Sequence, residues 1–374
     1  MTPFGDSPNR IPPPGARVLV AMSGGADSAA VAALLARRGC DCIGATLRLV
    51  PEPPEKSPFE PCCGLDAAVD AARVCARLGI PHEVLHAVDR FDRDIIARFV
   101  REYAAGRTPN PCIRCNRMIK FGALYERARA LGCEWVAMGH YARLEERGGR
   151  MALRRARHRA KDQSYVLAPL TQPQLRRACF PLGDMTKEEA RAAAGGIDRR
   201  SGEKPESQEI CFVFDDDYAR LVEERTGPFP PGPILDRQDN MLGTHHGLVR
   251  YTLGQRRGLG IAAPRPLYVI GIDSGRNALI VGHDEDTFCD EFTTGPLFWG
   301  TLPKQTGPFD CLAQLRSRHT PGPARVVPGP ASATVTLPEP QRAVTPGQWA
   351  AFYDDEGYVL AAAEIRTVVR FAGR

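Results

Sequence analysis

The stretch that decides the fold runs from Arg17 to Gly39, "RVLVAMSGGADSAAVAALLARRG". An apolar run of strand length, "RVLVAM", ends at a glycine turn. An alanine-rich helical pattern opens straight after it and stops at Gly39. A buried strand feeding a helix through a glycine loop is the opening unit of a parallel α/β domain. The loop itself, "SGGADS" (Ser23 to Ser28), has the chemistry of an anion site. Gly24 and Gly25 let backbone N–H groups approach a phosphate, and the helix N-terminus favours negative charge. Ser23 and Ser28 add hydroxyl donors. Asp27 caps the helix but repels phosphate, so its expected role runs through Mg²⁺. No GxxxxGK[ST] occurs and no GxGxxG follows the first strand, which disfavours a Walker-type NTPase and a dinucleotide reader.

Working outward, strand and helix patterns keep alternating. "CIGATLRLV", "PHEVLHAV" and "CEWVAMGH" read as strands, and "GLDAAVDAARVCARLG", "FDRDIIARFVREYAAG" and "MIKFGALYERARALG" as helices. Such alternation predicts a parallel sheet covered on both faces. The pattern changes near Ser207, and the stretch from Asp215 to Gly258 is short and turn-rich. After about Asp284 the chain reads as all-β, with "DCLAQLRSRH", "SATVTLP", "WAAFYDD" and "YVLAAAEI" as strands and "HTPGPARVVPGPAS" as a long loop. The expected plan is a disordered tail over 1–14, a Rossmann-like α/β domain over 15–208, a small central module over 209–284 and a C-terminal β-barrel over 285–374.

Composition bounds the class. The 374 residues carry 49 Lys+Arg against 44 Asp+Glu, a small excess whose clustering matters more than its size. "RRARHRAK" (Arg154 to Lys161) is either a solvated basic face or a phosphate footprint. The twelve cysteines, with no signal-peptide pattern ahead of them, point to reduced thiols and a cytoplasmic protein. Cys42, Cys75, Cys133 and Cys179 sit among apolar neighbours and are expected in the core. No apolar run approaches the ~20 residues a membrane helix needs.

A second stretch, "NPCIRCNRMIKF" (Asn110 to Phe121), places two cysteines three apart. Zinc needs four ligands, and no second CxxC exists; Cys62 and Cys63 are adjacent, a poor tetrahedral geometry. A thioredoxin-like redox pair normally opens a helix after a strand in its own fold, so a cluster ligand set and a nucleophile with a helper remain open.

Six ordered stretches narrow the reading: "GRTPNPCIRCNRMIKF", "GHYAR", "KDQSYVL", "KPESQEICF", "GLVRYTLGQRRGLGI" and "AVTPGQWAAFY". With "SGGADS", which resembles the SGGxDS loop of N-type ATP pyrophosphatases (PP-loop enzymes), they are similar to the tRNA-specific 2-thiouridylases. The resemblance spans Arg17 to about Ile365. It implies a PP-loop adenylation domain and a tRNA-contacting barrel. The implied activity is sulfur for oxygen exchange at C2 of the wobble uridine in tRNAs for Lys, Glu and Gln. ATP would adenylate the oxygen, and a persulfide sulfur would displace AMP. An amidating PP-loop ligase acting on a small acceptor is the alternative; no glutaminase domain accompanies it.

The resemblance also implies site roles. Cys115 is the nucleophile-position cysteine and Cys211 the persulfide carrier, whereas Cys112 has no settled role. Ala21, Met22, Ser23, Gly24, Gly25, Ala26, Asp27 and Ser28 would bind ATP, with Leu47 and Gly139 at the adenosine. Asn110, Pro111 and Cys112 would line the target base. His140, Lys161, Asp162, Gln163, Arg316, Ser317 and Gln348 would meet tRNA. Arg114, Arg117, Lys120 and a helix N-terminus at Asn116 are expected to favour the Cys115 thiolate. Cys115 and Cys211 would act as thiols and end as a disulfide; in the competing scheme Cys112, Cys115 and Cys211 hold three irons of a four-iron cluster. A cysteine desulfurase or sulfur carrier would supply the sulfur. The chain departs from the pattern where Cys112 replaces Asp, Ser317 replaces Tyr and Val166 replaces Phe.

Overall fold

The computed structural model describes residues 8–51, 64–198, 210–300 and 303–370. Strands β1 (Arg17–Ala21), β2 (Asp41–Arg48), β3 (His82–His86) and β4 (Trp135–Ala137) are all parallel. After a hairpin of β5 (Ala142–Arg147) and β6 (Arg150–Arg155), β7 (Ala178–Cys179) returns to the sheet beside β4. The order is β3-β2-β1-β4-β7. The chain therefore leaves β1 on one side for β2 and reaches β4 on the other. The crevice beyond the carboxyl ends of β1 and β4 is where such sheets take ligands. Val18, Leu19 and Val20 are fully buried, as a strand covered on both faces requires. Each such side chain contributes about 1.5–3 kcal/mol by leaving water.

Helices α1 (Ala26–Arg37) and α2 (Leu65–Leu78) pack on the sheet, and α2 ends at Gly79 in the left-handed region. Two further helices, 88–104 and 111–130, each contain one π turn, Asp92–Ile96 and Asn116–Lys120. Cys42, Cys75, Cys133 and Cys179 are buried as expected, and burial raises the thiol pKa of each, to about 12 for Cys42 and Cys75.

The central module is a four-stranded sheet of β8 (Gly232–Leu235), β9 (Met241–His245), β10 (Tyr268–Asp273) and β11 (Ala278–Gly282). The rest is a barrel: β12 (Phe288–Thr294), β13 (Phe298–Trp299), β14 (Phe309–Gln314), β15 (Gly322–Pro328), β16 (Ala333–Arg342), β17 (Trp349–Tyr353) and β18 (Val359–Arg370). Pairing of β12 with both β16 and β18 closes six of these strands and removes the sheet edges.

Two expectations change. The loop expected over "HTPGPARVVPGPAS" contains β15, because Ala324 and Val326 alternate inward while the prolines sit near its ends. The disordered tail expected over 1–14 does not extend to Asn9. Its amide donates to the Phe180 carbonyl (3.0 Å) and its Oδ1 accepts from the Leu144 amide (2.9 Å), both buried. Residues 1–7 of that tail, and Cys62 and Cys63, lie outside the described residues.

Candidate active site beside the sheet crevice

The glycine loop leaves β1 and enters α1. Gly24 has φ +70, and a Cβ there would lie 2.5 Å from the Ala67 carbonyl oxygen, so only glycine fits. Ser28 Oγ donates to the Gly25 carbonyl (3.0 Å) and accepts from the Ser23 amide (3.2 Å). The loop is thus closed on itself by its own hydroxyl. Gly139, just beyond β4, lies against it: a Cβ there would meet Asp27 Cβ at 3.0 Å and the Ser28 nitrogen at 3.2 Å. The loop and Gly139 therefore meet at the sheet crevice. Ala21 and Met22 end β1, and the Met22 amide donates to the Ala45 carbonyl (2.8 Å), aligning the end of β2 that carries Leu47. The Leu47 side chain itself is buried in the core.

Asp27 has partners that the sequence does not announce. Lys187 Nζ lies 2.8 and 2.9 Å from its two oxygens, and Tyr141 donates its hydroxyl to Oδ1 (2.8 Å). Lys187 is 5% exposed and opens the helix Lys187–Gly195, where Thr186 and Glu189 form a reciprocal capping box. The motif "TKEE" marks that helix start, but the partner across 160 residues is a tertiary fact. A buried ammonium here cancels the one acidic charge in the loop and makes the loop compatible with a polyphosphate. Asp27 Oδ2 accepts only from Lys187 among the described residues.

The second wall starts at Asn110. Its Oδ1 accepts from the Ile113 amide (3.3 Å), with Pro111 at the first helical position. The helix therefore begins at Pro111 rather than at Asn116, and the helix-terminal field expected at Cys115 falls on Cys112 instead. Cys112 is exposed in that first turn. Cys115 is buried in the main apolar cluster, and the π turn Asn116–Lys120 follows it directly. Single π turns inside helices recur at functional sites. Arg114 donates from Nε to the Asp94 carbonyl (3.0 Å), and the Arg117 guanidinium lies over the Phe298 ring of the barrel (4.1 Å). Burial, aided by Arg98 and Arg117, lowers the Arg114 pKa; burial alone does so for Arg117.

Cys211 lies in a turn, not in the buried strand its apolar neighbours imply. Phe212 sets its place, meeting Phe91 (5.7 Å) and Phe99 (5.0 Å) edge-on within helix 88–104. That helix also receives Arg114. One helix thus holds both cysteine segments, and Ile210, Cys211 and Phe214 pack on the apolar cluster that contains Cys115. Among the described residues no three His, Cys, Asp or Glu side chains converge as metal ligands. Cys112, Cys115 and Cys211 therefore do not form the converging ligand set that the competing iron–sulfur scheme requires, and that scheme is not supported.

The tRNA-facing expectations divide. His140 is buried with its ring on Phe180 (6.0 Å), and burial drives its pKa down to about 3. It is a neutral interior residue, not a surface contact. Asp162 also turns inward: its carboxylate accepts from Arg155 (2.9 Å), the Ala156 amide (2.9 Å) and Ser164 (2.9 Å). Gln163 is exposed but its Oε1 accepts from the Tyr141 amide (3.0 Å). Ser164 Oγ lies 3.1 Å from the buried Tyr353 hydroxyl, which donates to Gln314 Oε1 (3.2 Å). Gln314 in turn donates to the carbonyls of Arg316 (3.2 Å) and Ser317 (2.9 Å). A polar chain through the interior therefore joins the Lys161–Gln163 segment to Arg316–Ser317. Gln348 donates to the Thr108 carbonyl (3.0 Å), fixing the approach to Asn110. The basic block is only partly solvated, since Arg154 pairs with Glu145 (3.3 Å) and Arg155 with Asp162.

The geometry is that of an ATP-using α/β enzyme with two appended β modules. Family models match in the same order: a tRNA methyl transferase HUP domain over 16–215, a tRNA methyl transferase PRC-barrel domain over 221–283 and an aminomethyltransferase beta-barrel domain over 289–365. The tRNA-specific 2-thiouridylase MnmA of Symbiobacterium thermophilum is 43% identical, covering 94% of this chain and 93% of that protein. Its counterpart from a Roseiflexus species is 46% identical over 91% and 97%. The chain belongs to the tRNA-specific 2-thiouridylase family. No helix among the described residues is long and apolar enough to cross a membrane.

Proposed function

We propose that this chain replaces the C2 oxygen of a tRNA wobble uridine with sulfur at the expense of ATP. The observation that carries the reading is the self-closed SGGADS loop at the sheet crevice, in a chain whose relatives are named 2-thiouridylases. In the first step the uridine oxygen attacks the α-phosphorus. A C2–O–P bond forms and pyrophosphate leaves. Ser23, Ser28 and the loop amides would hold the phosphates, and Mg²⁺ at Asp27 Oδ2 would offset their charge. In the second step the terminal sulfur of a Cys211 persulfide attacks C2, and AMP leaves with the former oxygen. The Cys115 thiolate then attacks the inner sulfur of Cys211, breaking the S–S bond to the transferred sulfur. This leaves 2-thiouridine and a Cys115–Cys211 disulfide, which an external dithiol reopens. A cysteine desulfurase or sulfur carrier would reload Cys211. The expected substrates are tRNAs for Lys, Glu and Gln.

The test is ATP turnover with tRNA lacking the modification. Pyrophosphate should appear only with that tRNA, and equimolar AMP and 2-thiouridine only when a sulfur donor is added as well. Turnover driven by a small amine acceptor, without tRNA, supports an amidating ligase and contradicts the proposal.

A further inference from the structure

The motif "GQRRGLG" (Gly254 to Gly260) has no part in either wall. It starts a loop, 254–267, that leaves and re-enters the central module through paired backbone bonds. The Gly254 amide donates to the Val269 carbonyl (2.8 Å) and the Val269 amide to the Gln255 carbonyl (2.9 Å). Gln255 fixes the turn with its own side chain. Its Oε1 accepts from the Thr252 amide (3.0 Å) and its Nε2 donates to the Arg257 carbonyl (2.9 Å). Leu259 is buried among Leu248, Tyr251 and Val269. The loop is thus pinned at both ends and in the middle.

What the loop displays is two cations. Arg256 and Arg257 are exposed, and neither has an acidic partner among the described residues. The other arginines of this module behave differently. Arg237 pairs with Asp286, Arg250 with Glu223, Arg265 with Glu285, and Arg276 with Asp273 and Asp239. Uncompensated guanidinium groups on a pinned loop are suited to phosphate oxygens. Arg256 also borders an open concavity of about 430 Å³ formed by the loop itself, with Gly258 to Ala263 and Arg265 to Leu267 as its other walls.

The loop is continuous with the surface expected to face tRNA. A Cβ on Gly254 would lie 2.7 Å from Ala343 Cβ. The neighbouring Arg342 accepts from Arg316 at its carbonyl (3.1 Å) and stacks its guanidinium on Tyr268 (4.8 Å). A few residues on, Pro346 and Gln348 bind Thr108 (3.0 Å each), next to Asn110 and the cysteine helix. Contacts thus link Arg316, the turn 343–348, the start of the loop at Gly254 and Thr108 beside Asn110.

We infer that Arg256 and Arg257 form a phosphate-backbone docking point for the substrate tRNA, on the central module rather than the barrel. The inference rests on the tRNA reading above. It adds that the central module contributes to affinity without touching ATP or the reacting base. The test is equilibrium binding of unmodified tRNA by the full chain across a salt series. The double variant R256Q/R257Q should bind about tenfold more weakly near 0.1 M salt, and its log K against log salt slope should be shallower by about 1 to 2. KM for ATP should not change. R256K/R257K should recover most of the slope. R276Q, which removes an arginine already neutralised by two aspartates, should keep it. Equal affinity and slope in R256Q/R257Q and wild type overturn the inference, as does an equal loss in R276Q. If the wild type itself binds tRNA with no salt dependence, the tRNA reading fails instead, and the two failures are distinguishable.

Discussion

The glycine loop and the cysteine wall are built differently. The loop is held by groups from its own domain: Ser28 on Gly25, Gly139 against Asp27, and Lys187 and Tyr141 on the Asp27 carboxylate. The cysteine wall needs the whole chain. Arg117 stacks on Phe298 of the barrel, Gln348 fixes Thr108, and Phe212 wedges Cys211 against helix 88–104. The same helix is tied to the barrel by Arg98, whose Nη2 lies 2.9 Å from Glu364 of β18 and 3.4 Å from Glu102. The difference teaches that, on the proposed reading, activation of the oxygen rests on one sheet, whereas sulfur delivery rests on the assembled domains. Mutations should therefore separate the two half-reactions.

The largest separation is expected at the cysteines themselves. C115S should lower thiolation by at least ~10³-fold, since a hydroxyl cannot open a disulfide bond under mild conditions. C112S, altering an exposed position in the first helical turn, should cost far less. Equal losses at Cys112, Cys115 and Cys211, with iron in the active protein, would restore a shared cluster and break the comparison. Activity assay with iron counting after anaerobic purification reads both.

Lys187 tests the opposite wall. K187M leaves Asp27 uncompensated beside the incoming phosphates, and tRNA-dependent pyrophosphate release should fall by roughly 10²-fold. Transfer of sulfur to tRNA adenylated beforehand should be unaffected. D27N/K187M should recover thermal stability but not pyrophosphate release. Recovery of both would make Lys187 a purely structural residue.

A smaller effect concerns the interior behind the loop. His140 is neutral when folded, with its pKa depressed to about 3 by burial. Above the unfolded value of ~6.5 both states are neutral and stability is at its full value. As pH falls below it, the unfolded chain takes up a proton that the folded chain refuses. Stability should then drop by about 1.4 kcal/mol per pH unit, or about 2 kcal/mol by pH 5. Urea unfolding at pH 7 and pH 5 should show that loss in the wild type and a smaller one in H140Q. An identical loss in both would mean that other groups carry it.

The loop wall was the more legible of the two in sequence. Strand, glycine loop and helix are contiguous, so period and turn chemistry alone place Gly24 to Ser28. The parallel sheet, though not its strand order, followed from alternation. Lys187 and Tyr141 were not legible, because their partner lies far away in sequence and no local pattern marks a buried ion pair. The cysteine wall was legible only as separate motifs. The resemblance implied tRNA contacts at Asp162 and His140, whereas packing turns one toward Arg155 and the other onto Phe180. The β15 strand was hidden by its prolines, and the start of the cysteine helix by a cap at Asn110 that reads equally well as a loop.

The most direct test of separable half-reactions is C211S supplied with ATP, unmodified tRNA and a sulfur donor, with pyrophosphate and 2-thiouridine measured in the same tube. Cys211 lies in a turn whose Phe212 packs on Phe91 and Phe99, and it has no part in the contacts that close the glycine loop. The variant should release pyrophosphate in a tRNA-dependent manner, within about twofold of the wild type over a single turnover, and form no 2-thiouridine. Persistent 2-thiouridine, or loss of pyrophosphate release from a variant that still folds and binds ATP, would contradict the account.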